Sequence, residues 1–226
     1  MSSRTGRTAI RISITAVAAA TVLAVSTACQ PVDTTSTSGG TDTGKPVVSS
    51  ASTAEKQLKK LQVTAGGSIS GYVRDDFHTW DSQGKGCDTR DIVLQRDGKG
   101  VKTVSDCKIV EGTWTSPYNG KTYHSAQDLQ IDHIVPLGDA WMSGANHWSD
   151  SKREDFANDL KDTELLAVDS SDNERKGDDD PSRWKPPNQD FWCTYAKDWI
   201  SVKTVWKLTI TSAEKSALED MLHTCS

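Results

Sequence analysis

Asp132 and His133 stand side by side in the run Ile131-Asp132-His133-Ile134-Val135-Pro136-Leu137. An imidazole titrates near neutrality and can take a proton from water. A carboxylate is a hard oxygen ligand for a divalent cation. Further along comes Asp172-Asn173-Glu174-Arg175-Lys176-Gly177-Asp178, rich in oxygen donors and cations. Hydrolysis of a phosphodiester needs a deprotonated water, neutralisation of the charge growing on phosphate, and stabilisation of the leaving oxygen. His133 suits the first task. A cation held by Asp132 and Asn173 suits the other two. Consecutive residues of a strand project to different sides, so one of the pair can face water while the other reaches a metal. Neutral Asn173 would limit the negative charge beside phosphate.

These residues need a strand and a helix to hold them. Leu129 to Val135 reads as a strand ending at Pro136, and Thr163 to Val168 as a second. Ser170, Ser171 and Asp172 are N-cap candidates for a helix running through Lys176. Asp139 to Gly144 suggests a helical turn, and Lys152 to Leu160 a helix. Upstream, Ala54 to Leu61 suits a short helix, Gly66-Gly67 a loop, and Arg90 to Arg96 either helix or strand. Lys108 to Trp114 alternates as a strand should, and Ser116 to Lys121 is a turn, so a hairpin is expected. Gln189 to Trp206 places Phe191, Tyr195, Trp199, Val202 and Trp206 at helical spacing. Thr211 and Glu214 form a capping box for a last helix, to about His223, whose apolar face is Leu218, Met221 and Leu222. The fold class is α+β, with few strands and segregated helices.

The N-terminus has another purpose. Arg4, Arg7 and Arg11 precede an uncharged apolar run from Ile12 to Val25, followed by small residues up to Cys29. Residues 1–28 therefore read as a secretory signal peptide. The run is shorter than the roughly 20 residues that span a bilayer. Cys29 is the candidate lipidation site of a membrane-anchored lipoprotein; the other reading is an ordinary secretory cut. Residues 29–54 are Ser, Thr, Gly and Pro with almost no large apolar residue, a flexible tether. Residues 55–226 are a single-domain length. Lipidation of Cys29 leaves an even set, Cys87, Cys107, Cys193 and Cys225, suited to disulfides outside the cell. Three pairings exist, and proximity favours Cys87–Cys107 with Cys193–Cys225. Without the three signal arginines, 23 Lys+Arg face 31 Asp+Glu, a net charge of −8. A basic clamp for nucleic acid would show the opposite sign. A polyanion must then be handled locally, by a metal and a few cations.

Asp132-His133-Ile134-Val135-Pro136, then Asn158-Asp159-Leu160, Leu165-Leu166-Ala167-Val168 and Asn173-Glu174-Arg175-Lys176-Gly177-Asp178, together resemble the HNH endonucleases with their ββα-metal core. The likeness is strongest to a secreted bacterial branch related to the C-terminal nuclease domain of modification-dependent restriction enzymes. It extends upstream through Gly71-Tyr72-Val73-Arg74 and Gly86-Cys87-Asp88-Thr89-Arg90, and downstream past Trp184-Lys185-Pro186-Pro187. The resemblance implies that His133 is the general base and that Asp132 and Asn173 hold the metal. It implies that Asn158 orients His133 by a hydrogen bond, and that Lys176 contacts phosphate or the leaving group. The paired CxxC motifs of many relatives are missing, so no structural zinc is expected and disulfides are expected to staple the domain instead.

Arg90 and Arg175 are the further candidates for contacts to substrate, whereas Arg74, Lys152 and Arg153 read as ordinary surface charges. Asp178, Asp179 and Asp180 read as a solvated loop. His78, His124, His147 and His223 have no motif around them. Most of the eight tryptophans should be core, with Trp141 or Trp184 available to stack on bases. The expectation is an exported monomer that cleaves nucleic acid, DNA in preference to RNA and with little sequence specificity, using Mg²⁺ or else Mn²⁺. The alternatives are a ribonuclease or nuclease toxin, and a non-catalytic surface lipoprotein on the same scaffold.

Overall fold

The computed structural model describes residues 49–226; the expected signal peptide, Cys29 and the expected tether up to residue 48 lie outside the described residues. The chain enters through α1 (Ala51–Leu58), capped by the Ser50 side chain, which accepts from the Thr53 amide. This helix begins three residues before the expected Ala54, and Ala54 is fully buried, so the fold takes in residues assigned above to the tether. After β1 (Val63–Thr64) come β2 (Ser82–Gly84), β3 (Cys87–Asp88) and α2 (Thr89–Asp97). The Arg90–Arg96 segment is thus helical, and an Asp88–Asp91 capping box starts it. A three-stranded antiparallel sheet follows, β4 (Lys99–Thr103), β5 (Ile109–Thr115) and β6 (Thr122–Tyr123), containing the expected hairpin.

The next unit carries the candidate residues. It comprises β7 (Leu129–His133), α3 (Leu137–Met142), α4 (Asp150–Ala157), β8 (Leu165–Asp169) and α5 (Ser170–Lys176). β7 and β8 pair antiparallel, with Asp132 opposite Leu166 and His133 opposite Leu165. Two antiparallel strands are therefore followed directly by a helix. The helix starts one residue earlier than expected, because Asp169 is its cap and accepts from the Asp172 amide.

Burial fixes the register. Leu129, Ile131, Leu165 and Ala167 pack with Val93, Leu94 and Trp114 from α2 and β5. Val168, Ile134 and Val135 join the larger core beyond. A slip of one residue would exchange these faces. The large core is closed by α6 (Trp192–Trp206), β9 (Ile210–Thr211) and α7 (Ser212–Leu222). The Thr211–Glu214 capping box is present as expected. Disulfides join Cys87 to Cys107 and Cys193 to Cys225. The second ties α6 to the end of α7. Mixed helix and sheet with two disulfides is the α+β class.

Candidate active site

Asp132 and His133 end β7, and Asn173 lies on α5. All three line one cleft of about 280 Å³, together with Tyr72, Arg74, Ile131, Pro136, Gly177 and Asp178. The corner after β7 is fixed from the loop before β8. Ile134 N–H donates to the Glu164 carbonyl at 2.7 Å, and Val135 N–H to the Glu164 carboxylate at 3.2 Å. On the other side, Gly177 (φ 52°) ends α5 in a conformation that favours glycine. Asp178 then accepts from the Gly138 amide at 3.2 Å. A Cβ at Gly138 would lie 2.5 Å from the Asp178 carboxyl carbon, so this approach requires glycine.

His133 is only 4% exposed. Its Nε2 lies 3.0 Å from the Ala157 carbonyl. A carbonyl only accepts, so Nε2 carries the hydrogen and Nδ1 keeps a lone pair. The ring lies 6.5 Å from Phe156, nearly parallel, and 6.0 Å from Trp80. Burial lowers its pKa to about 3, with the charges of Arg74 and Lys176 acting in the same direction. The ring is therefore neutral, with Nδ1 as its lone-pair atom.

Asp132 is as deeply placed. Lys176 donates to both of its oxygens, at 2.9 and 2.8 Å, and the Tyr118 hydroxyl donates to Oδ2. Burial pushes the carboxyl pKa up, against the opposing pull of Lys176 and Tyr118. Asn173 donates its amide to Gln130 at 2.8 Å, and its Oδ1 accepts no hydrogen bond among the described residues.

Three expected roles meet a different geometry. Asn158 does not bond His133. Its Oδ1 accepts from Asp81 N–H (2.9 Å) and the Thr89 hydroxyl (2.8 Å), and its Nδ2 donates to the carbonyls of His78 and Glu154. It pins the loop bearing Trp80 to the end of α4, while the carbonyl of its neighbour Ala157 holds the histidine. Lys176 does not face the cleft. Its side chain is 0% exposed, and its third bond, at 2.7 Å, goes to the His133 carbonyl. All three ammonium protons are thereby satisfied, so none is left for phosphate. Arg90 is occupied in the same way: Nη2 donates to the Ala126 and Leu129 carbonyls, both at 2.9 Å, and fastens α2 to the start of β7. Arg175 is largely exposed but pairs with Asp172.

Tyr72, Arg74 and Tyr118 join the site without having been singled out for it, and Asp178 leaves the solvated run to line it. Trp184 packs edge-on against Tyr118, with centroids 5.0 Å apart.

The donor set suits a hydrated hard cation. Asn173 Oδ1 is open, and Asp132 Oδ1 accepts only from Lys176, leaving a lone pair. Two protein oxygens suffice for an ion that keeps several waters. A separate acidic cluster, Asp139, Asp180 and Glu214, brings one oxygen from each within 4.8 Å of one another. There Lys203, fully buried, pairs with Asp139 and lies 3.3 Å from Glu214, so two of the three carboxylates already share a buried ammonium. Nothing in the sequence marks this cluster, whose members come from three distant segments.

The sequence profile of the family described as GmrSD restriction endonucleases, C-terminal domain, matches residues 89–221. That span includes β7, β8 and α5, and excludes Tyr72 and Arg74. A protein of Arthroderma benhamiae named "Uncharacterized secreted protein" is 49% identical over 180 residues, covering 80% of this chain and 88% of that protein. No solved structure matches. The family is one of nuclease domains, and the relative's name agrees with export, as do the two disulfides.

Proposed function

We propose that this chain, which belongs to the family of GmrSD restriction endonuclease C-terminal domains, is an exported, metal-dependent HNH-type endonuclease. Its substrate is nucleic acid, DNA in preference to RNA, read with little sequence specificity. The observation that carries this is the neutral His133 imidazole, its Nε2 tied to Ala157, in a residue that lines one cleft with Asp132 and Asn173. The succession β7–β8–α5 supports a ββα-metal reading of the core.

In this reading His133 Nδ1 takes a proton from a water, whose oxygen attacks phosphorus while the bond to the leaving sugar oxygen breaks. Asp132 and Asn173 would hold Mg²⁺, which Mn²⁺ can replace. When bound, the ion neutralises charge on the phosphate and stabilises the leaving oxygen. Ala157 holds the ring so that Nδ1 is the basic atom. Phe156 and Trp80 keep it desolvated. Lys176 and Tyr118 fix the Asp132 carboxylate and act as positioning residues. We place the protein outside the cell, anchored through lipidated Cys29.

The test is incubation of the purified domain with plasmid DNA and with RNA, in Mg²⁺ or EDTA, beside His133→Ala. Metal-dependent cleavage lost in His133→Ala is expected, by at least about 100-fold for removal of a general base. No cleavage of either polymer, or undiminished cleavage by the variant, would overturn the reading. Cleavage of RNA alone would make it a ribonuclease. Release of Cys29→Ser into the medium tests the anchor.

A further inference from the structure

The cleft has one cationic side chain among its lining residues, Arg74. The other nearby cation, Lys176, is neutralised by Asp132 and turned inward. Arg74 is exposed and opens the 3-10 turn Arg74–Phe77. No carboxylate pairs with it among the described residues; its side-chain contact is with Tyr72. Its footing is firm. Phe77 at the end of the same turn is fully buried, 6.4 Å from Phe156 and 6.1 Å from Tyr72 between ring centroids. Tyr72 in turn lies 6.1 Å from Trp141. The guanidinium is therefore carried by a rigid turn and is near enough to Asp132 and His133 for its charge to act on both.

An unpaired, rigidly based guanidinium at the rim of a cleft, in a domain of net negative charge, is a receptor for an anion. Its planar fork matches two oxygens of a phosphate. We infer that Arg74 binds the phosphodiester to be cleaved, donating to its non-bridging oxygens, an inference that rests on the nuclease reading of the same cleft. The residue lies upstream of the family match, which begins at residue 89.

Two measurements test it. The first is kcat/KM on a short DNA duplex in Mg²⁺ for wild type, Arg74→Ala, Arg74→Lys and Lys102→Ala, the last being an exposed cation on β4 paired with Glu111. Arg74→Ala should lose about 100-fold, as for removal of one donor to a developing oxyanion. Arg74→Lys should recover part of that loss, and Lys102→Ala should stay within about twofold. The second is binding of a fluorescein-labelled oligonucleotide in EDTA, by anisotropy across a salt series. Arg74→Ala should weaken binding and reduce the salt slope by about one. Circular dichroism should be unchanged, because the side chain is exposed. Arg74→Ala within threefold of wild type in both rate and affinity would overturn the inference. So would wild-type protein that binds no oligonucleotide. Binding that depends on Arg74, in a wild-type protein without cleavage, would remove the nuclease reading and leave the anion site standing.

Discussion

Replacing Lys176 by methionine separates two roles for one residue. The methionine stem fills nearly the same space, so the change removes a charge and three hydrogen bonds with little loss of packing. In the structure that charge is fully buried, with 2.8 and 2.9 Å bonds to Asp132 and a 2.7 Å bond to the His133 carbonyl. Its loss strands the Asp132 carboxylate, leaving it with the Tyr118 hydroxyl. Breaking a buried ion pair on one side costs about 3–5 kcal/mol, because the remaining charge is uncompensated. Asp132→Asn strands the ammonium and should cost a similar amount. The double variant strands neither, and should lie within about 2 kcal/mol of wild type.

Urea and thermal unfolding with both disulfides intact measure this. For a domain of this size, each single variant should melt about 10 °C lower, and the double variant should recover much of that. The cycle also separates structure from chemistry. If Lys176→Met unfolds within about 1 kcal/mol of wild type yet loses cleavage, Lys176 is a substrate contact and its assignment as a strut is wrong. If the costs of the two single variants simply add in the double, the pair is not coupled and the geometry around Asp132 is misread.

Burial raises the Asp198 carboxyl pKa from its ordinary 3.8 to about 7. The folded state therefore binds this proton more tightly, and stability falls as pH rises from 3.8 through 7, by up to about 4 kcal/mol; urea titrations from pH 4 to 8 should show the slope, and Asp198→Asn should flatten it. His133, lowered to about 3, should give a kcat/KM profile with no acid limb near pH 6.5. A limb there would mean that the imidazole is solvated or that another group is the base. Asn158→Ala removes four hydrogen bonds at the junction of α4 and the Trp80 loop, and should cost about 2–4 kcal/mol in unfolding, with loss of Trp80 fluorescence shift as the loop loosens.

What could be read in advance follows from how far apart the interacting groups stand. The Thr211–Glu214 capping box was legible because both partners lie in one turn. The disulfides were legible because cysteine pairs close in sequence close short loops. The parallel pairing of Val63 with Ile210 was not, because nothing local in either two-residue strand specifies a partner so distant. The site divides in the same way. Asp132, His133 and Asn173 reach one cleft as their residue types and the two-strand, one-helix pattern suggest. Asn158 was assigned the right neighbourhood and the wrong atom, since a side-chain motif does not reveal that a main-chain carbonyl, that of Ala157, holds the ring. Lys176 defeated expectation because lysine is almost never fully buried unless paired. Here α5 ends against β7, and its last side chain lies between Asp132 and the His133 carbonyl. Tyr118 read as part of a turn, yet it donates to the same carboxylate. Asp132 thus meets the cleft with its charge already opposed from two sides. A cation entering there must share the carboxylate with Lys176, so affinity for Mg²⁺ should rise in any variant that removes the ammonium without unfolding the domain.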